Sequence, residues 1–212
     1  AEQVAEALGA ERYSTNWRDA LAPDIQIADI STPNHLHEEP AVALLESGRH
    51  VILQKPMAPT VEACKRIVMA AVRGNATGGV YMSDLEDPIV WSWRDAIKNG
   101  KLGQVTSIRA RYAHRGGLIP SKHRTWRASK EQTGGGAFIQ LSLHHINLAC
   151  WLLKDTVESV MAYSENLACP HLEVTIPRSA WYASPAPGCW ACSSLRGTPT
   201  ARRFPYMALK PV

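Results

Sequence analysis

A lysine, a histidine and a glutamine carry the chemistry open to this 212-residue chain. Lys55 closes the apolar run His50-Val51-Ile52-Leu53 and stands between Gln54 and Pro56. A lysine at a strand end loses solvation, which lowers its pKa and equips it to move protons. The alternative is an ordinary surface lysine after an edge strand. Gln140 and His144 are four residues apart, which puts them on one face of a helix. Asn147 falls on that face too, while Leu141, Leu148 and Trp151 read as core. A polar stripe on an apolar helix suggests a cavity wall. An imidazole, with its ordinary pKa of about 6.5, suits proton exchange there. The competing reading is a satisfied core histidine.

The elements that must position these groups start at Ile25. Ile25, Ile27, Ala28 and Ile30 form a short strand that stops at Ser31-Thr32-Pro33-Asn34, a turn signal. Glu38 to Ser47 reads as a helix, with Gly48 at its C-terminal cap. His50 to Leu53 is the second strand, and the Lys55-Pro56 bond is a candidate for the cis form. Two apolar strands joined by a helical crossover pair in parallel. Ligands bind beyond the carboxyl ends of such strands. Thr-Pro-Asn-His-Leu-His (32–37) and Gln-Lys-Pro (54–56) should therefore lie side by side.

Composition excludes several classes. No apolar run reaches the ~18 residues of a membrane span. The first residues form a charged amphipathic helix rather than a secretion signal, which points to the cytoplasm. Five cysteines at irregular spacing imply no disulfide framework. Cys189 and Cys192 read as a chance pair, and no metal site is expected. The net charge of +4 is local: residues 174–212 hold five basic residues and no acidic one, leaving 18 basic against 19 acidic before them. No nucleic-acid partner is implied.

Downstream, Thr60 starts a helix to about Arg73, with Val61, Cys64, Ile67, Val68 and Ala71 as its apolar face. Thr15 is the expected cap of a short helix from Asn16 to Leu21. Gly79–Met82 is a third strand and Pro88–Lys98 a helix. Gln104–His114 and Val157–Tyr163 alternate as strands, separated by a helix over Ala137–Leu153. Gly134-Gly135-Gly136 is only a weak phosphate-cradle signal, because no strand precedes it. The order predicts an α/β fold: an incomplete Rossmann-like parallel sheet over 1–83, then a partial α+β domain with a mostly antiparallel sheet over 84–173. Residues 174–212 hold six of the fourteen prolines and show no countable period. They read as an irregular tail, compatible with a shifted reading frame. In that case the strands before it would expose unpaired edges.

Taken together, the strand end TPNHLH, the HVILQKP strand with its Thr-started helix, the Trp126-Arg127 pair and GGGAFIQLSLHHINLACWLL resemble the Gfo/Idh/MocA family of NAD(P)-dependent oxidoreductases. The resemblance covers roughly residues 1–172. It implies hydride transfer between NAD or NADP and a hydroxyl or carbonyl of a sugar, polyol or cyclitol. By motif position it makes Lys55 and His144 catalytic. Thr32, Pro33, Asn34, His37, Gln54, Lys55 and Pro56 would border the cofactor. Trp126, Arg127, Gln140 and His144 would meet a sugar-like substrate. The intact relative would form a homo-oligomer.

The sequence departs from the family pattern at Gln54, where Glu is usual, and at Gln140, where Asp is usual. Glutamine does not ionise, so proton transfer would rest on Lys55 and His144. These changes keep open a non-catalytic sugar- or nucleotide-binding relative and a nonfunctional fragment; a Schiff-base lysine enzyme is a more distant option. The family's first strand and GxGxxG loop, about 35 residues by the usual spacing of that fingerprint, are expected to precede Ala1. Residues 1–212 alone are therefore expected to bind NAD(P) weakly. Calorimetric titration checks this; low-micromolar affinity would overturn it.

Overall fold

Short apolar runs flanked by turn residues become the strands of a parallel sheet. The computed structural model describes residues 1–111, 125–136, 138–165, 176–183 and 190–194. After α1 (Glu2–Leu8) and a 3-10 turn (Trp17–Leu21) come β1 (Ile27–Ile30), a 3-10 turn (Asn34–Leu36), α2 (Glu38–Glu46) and β2 (His50–Gln54). Next are α3 (Val61–Arg73), β3 (Gly78–Tyr81), a 3-10 turn (Ser83–Glu86) and α4 (Pro88–Lys98). The sheet order is β1-β2-β3, all parallel, with Ile30 opposite Leu53 and Leu53 opposite Val80. Ile30, Val51 and Leu53 pack against Ala41, Leu44 and Leu45 of α2 and Ala63, Ile67 and Ala70 of α3. Each large side chain so buried contributes about 1.5–3 kcal/mol. The other face of the sheet is open, with Ile27 and Ile52 exposed.

Two expectations from the sequence are corrected here. The 3-10 turn is capped by Asn16, whose side chain accepts from the Arg18 amide, and not by Thr15. The buried face of α3 is Ala63, Ile67 and Ala70, whereas Val61 and Val68 are 63% and 51% exposed. The helix is turned so that its smallest residues face α2. That choice follows from how closely the two elements approach: a Cβ at Gly74 would lie 1.8 Å from the Leu45 carbonyl oxygen. Thr60 caps α3 as expected, its hydroxyl accepting from the Ala63 amide.

The second half contains β4 (Ser107–Arg111), α5 (Thr125–Ala128), α6 (Lys130–Thr133), a π turn (Phe138–Ser142) and α7 (Leu143–Leu153). It continues with β5 (Ser159–Glu165), β6 (Ile176–Ala183) and β7 (Trp190–Ser194). These strands form a four-stranded sheet in the order β4-β7-β6-β5. β5, β6 and β7 run antiparallel in turn, and β4 lies parallel to β7. The irregular tail expected from Val174 therefore holds two strands, and they pair the edges of β4 and β5 that were expected to stand open. Backbone pairing asks only for N–H and C=O groups, so a segment without side-chain alternation still joins a sheet. Pro177 lacks the N–H, and the ladder shifts register opposite it, between Tyr163 and Ser164. Residues 112–114 of the expected first strand, Cys189 of the cysteine pair, and 195–212 lie outside the described residues. Among the described residues no helix is long and apolar enough to cross a membrane.

Gly74 has a negative φ of −83°, so alanine there gains the usual ~0.4–1 kcal/mol from the unfolded chain. The overlap with Leu45 opposes that gain by about 1–3 kcal/mol or more. Gly74→Ala is expected to lower the denaturant midpoint; an unchanged midpoint would mean that α2 and α3 part without cost.

Candidate active site

Parallel pairing of β1 and β2 brings their outgoing loops together, and one side chain joins them. His37 is wholly buried. Its Nε2 lies 2.7 Å from the Thr32 carbonyl oxygen, and its Nδ1 lies 3.0 Å from that of Pro56 and 3.3 Å from that of Met57. The Lys55-Pro56 bond between the loops is cis. Asn34, also buried, donates from Nδ2 to the Thr133 carbonyl at 3.0 Å, which fastens the β1 loop to the end of α6. Gly134 follows with a positive φ of 82°, and a Cβ there would lie 2.4 Å from the Pro59 carbonyl oxygen. The first glycine of the triplet thus serves close backbone packing, a use distinct from the weak phosphate-cradle signal.

This docking places the π turn and α7 over the strand ends. Lys55 Nζ donates to the Gln140 carbonyl at 2.7 Å, within the π turn. One turn on, His144 Nδ1 lies 3.0 Å from Asp84 Oδ2. The ring N–H is not aligned for a hydrogen bond in this arrangement. The His144 and Asp84 side chains are 17% and 37% exposed. Asp84 stands in the 3-10 turn just beyond β3, so the ends of β2 and β3 each deliver a charged group beneath α7. The side-chain amide nitrogen of Gln140 is buried there with no partner among the described residues. Gln54 turns back, its Oε1 accepting from the Lys55 amide at 3.0 Å.

Burial lowers the pKa of Lys55, with the nearby Arg127 cation adding to the effect and Asp84 opposing it. Burial likewise lowers that of His144; Asp84 opposes this and Lys55 reinforces it. His145 is lowered in the same way. Lysine and histidine are both pressed toward their neutral forms, and each then has a lone pair for a substrate proton.

Of the residues singled out in the sequence, Lys55, Gln140 and His144 come together. Arg127 is near enough to act on Lys55, and its guanidinium lies 4.6 Å from the centroid of Trp126. Thr32 is exposed at the rim, and Pro33 and Gln54 are half-buried. Asn34, His37 and Pro56 are buried behind the wall they support. Sequence reasoning missed Asp84. Its signal was position just after a strand end, diluted by Glu86 and Asp87 close by. A nicotinamide suits this setting: Thr32, Pro33 and Gln54 offer an uncharged border beside Lys55, and the Gln140 amide, without a partner among the described residues, is a donor available to a carboxamide oxygen or a sugar hydroxyl.

Comparison with known proteins agrees. A family model described as "Oxidoreductase family, NAD-binding Rossmann fold" matches residues 1–82. A second, "GFO/IDH/MocA C-terminal domain", matches residues 90–197, a span that includes β6 and β7. Levoglucosan dehydrogenase of Pseudarthrobacter phenanthrenivorans is 34% identical over 156 residues, 73% of this chain and 40% of that protein. The 1,5-anhydro-D-fructose reductase of Ensifer adhaerens is 28% identical over 68% of this chain and 42% of its own length. The chain thus spans about 40% of the length of these curated relatives. A solved structure of levoglucosan dehydrogenase in complex with NADH and levoglucosan superposes with a TM-score of 0.82 at 28% identity, covering 92% of this chain and 54% of that one.

Lys55 is expected to titrate below the other lysines. Arg127→Ala, which removes a cation, should raise its pKa, and Asp84→Asn should lower it further. NMR of isotope-labelled dimethyl-lysines reads this directly; a Lys55 signal that titrates with the surface lysines in all three proteins would refute it.

Proposed function

The chain belongs to the Gfo/Idh/MocA oxidoreductase family, and on that premise we propose that the protein transfers a hydride between NAD or NADP and a hydroxyl or carbonyl carbon of a sugar, polyol or cyclitol. The observation that carries this reading is the convergence of Lys55 and His144, two buried-leaning bases, beyond the carboxyl ends of a parallel sheet. When bound, the dinucleotide supplies the hydride acceptor or donor. The chain's own residues do the remainder. Thr32, Pro33 and Gln54 border the nicotinamide, while Asn34, His37 and Pro56 hold that border in shape. Lys55 and His144 take up or return the hydroxyl proton. Gln140, Trp126 and Arg127 bind the sugar by hydrogen bonding and stacking.

Residues 1–83 then form the dinucleotide-binding part and those from 84 onward the substrate and association part. Self-association of the intact protein is included in the proposal; exposed Val160 and Met161 on β5 support it. So is a cytoplasmic location, supported by the free thiols Cys64 and Cys150. A second reading, sugar or nucleotide binding without turnover, is favoured by the neutral side chains at Gln54 and Gln140.

The test is to supply saturating NAD+ or NADP+ with a panel of anhydro sugars, aldoses and inositols and to follow reduced nicotinamide by absorbance. Turnover is expected, impaired in residues 1–212 by weak dinucleotide binding and full in the protein that carries the preceding glycine loop, and Lys55→Ala should lower it by about 10²–10⁴-fold, the range for loss of a positioned proton-transfer group. Sugar binding without turnover across the panel would favour the second reading.

A further inference from the structure

Proton transfer at His144 produces an imidazolium in a half-buried pocket that already holds a lysine. That product needs an anion at short range. Gln140, one turn before His144, is neutral. Among the described residues the charged and titratable groups around the ring are Lys55 from the end of β2, Asp84 from the turn after β3, and His145 on α7 itself. Arg127 of α5 acts on Lys55, and Arg94 of α4 is turned onto the Trp151 ring, 3.9 Å from its centroid. Asp84 is the carboxylate that acts on the ring, 3.0 Å from Nδ1, and the turn carrying it packs on α7.

Resting on the oxidoreductase reading above, the geometry points to Asp84 as the positioning residue of the reaction: it holds Nδ1–H of His144, fixes the tautomer with its lone pair on Nε2, and balances the imidazolium once the proton arrives. In the oxidation direction the carbinol C–H leaves with its electron pair as hydride to the dinucleotide. The O–H electron pair becomes the second C–O bond, and the hydroxyl proton passes to Nε2. Charge rises by one on the ring and is faced by one carboxylate. Nδ1 and Oδ2 are already at hydrogen-bonding separation, and active-site bonds commonly tighten and align when substrate binds. A carboxylate contributed by the turn after β3 thereby performs work that position 140 cannot.

Two readouts on Asp84→Asn test this, with Asp84→Glu as the conservative variant. In the first, histidine NMR follows His144 without turnover: the substitution should lower its pKa and shift the tautomer balance away from Nδ1–H, and Asp84→Glu should restore part of both. An unchanged titration overturns the proposal. In the second, kcat for sugar oxidation should fall about tenfold or more, matching a loss of a pKa unit or more of imidazolium stabilisation. Its acid limb should move to lower pH, with KM for the dinucleotide unaltered. A purely structural role would leave the acid limb in place. A changed titration with unchanged kcat and acid limb overturns the proton-transfer role. No turnover by the unsubstituted protein carrying the family's first strand and glycine loop, with the titration shift present, would instead overturn the oxidoreductase reading and the role that rests on it, leaving the ion pair as a structural contact.

Discussion

One buried imidazole holds the site together. His37 touches the carbonyl of Thr32 on one side and those of Pro56 and Met57 on the other, so the loops leaving β1 and β2 are set relative to each other by a rigid ring. Parallel strands bring these loops near but do not fix their shape, since the ladder ends at Ile30 and Gln54. Without the ring, the carbonyl that accepts from it would lose its donor, a cost of about 1–3 kcal/mol where that oxygen is left buried and unsatisfied. From this fixed pair of loops the rest follows. Lys55 is aimed by the β2 loop, and Asn34 in the β1 loop catches the carbonyl of Thr133.

The Asn34–Thr133 bond and the Gly134–Pro59 approach are where the second half of the chain meets the first. They are short backbone-level contacts that tolerate little displacement. Through them the π turn and α7 arrive over the strand ends at hydrogen-bonding distance. The electrostatics depend on that closeness. Lys55 and His144 both lose water, and the Lys55 cation further lowers the tendency of His144 to hold a proton. Asp84 is the countervailing charge for both. A shift of an ångström or two in α7 would weaken all three couplings.

Much of this was legible in the sequence because it is local. The strand–helix–strand unit, the Lys55-Pro56 step and the shared face of Gln140 and His144 follow from periodicity and turn chemistry within a few residues. What was hidden depends on distant partners. Asp84 meets His144 across sixty positions of chain, and nothing about Ser-Asp-Leu-Glu-Asp says which acid turns inward. The face of α3 read from the sequence holds at Ile67, Cys64 and Ala71 and fails at Val61 and Val68, whose bulk looks like core but which are exposed. In fact the nearness of α2 selects Ala63, Ala70 and Gly74. The strands after Val174 were hidden for a different reason: their order comes from ladder bonds to β4 and β5, and such bonds leave no trace in side-chain alternation.

The lysine's anchor has a further meaning. Lys55 is held by the backbone oxygen of residue 140 and not by its side chain. Position 140 is therefore free to drift in evolution without dislodging the lysine. A change there alters what the pocket offers a ligand while the lysine stays where it was, so the shape of the pocket and the position of its amine become separately inheritable traits at a single residue.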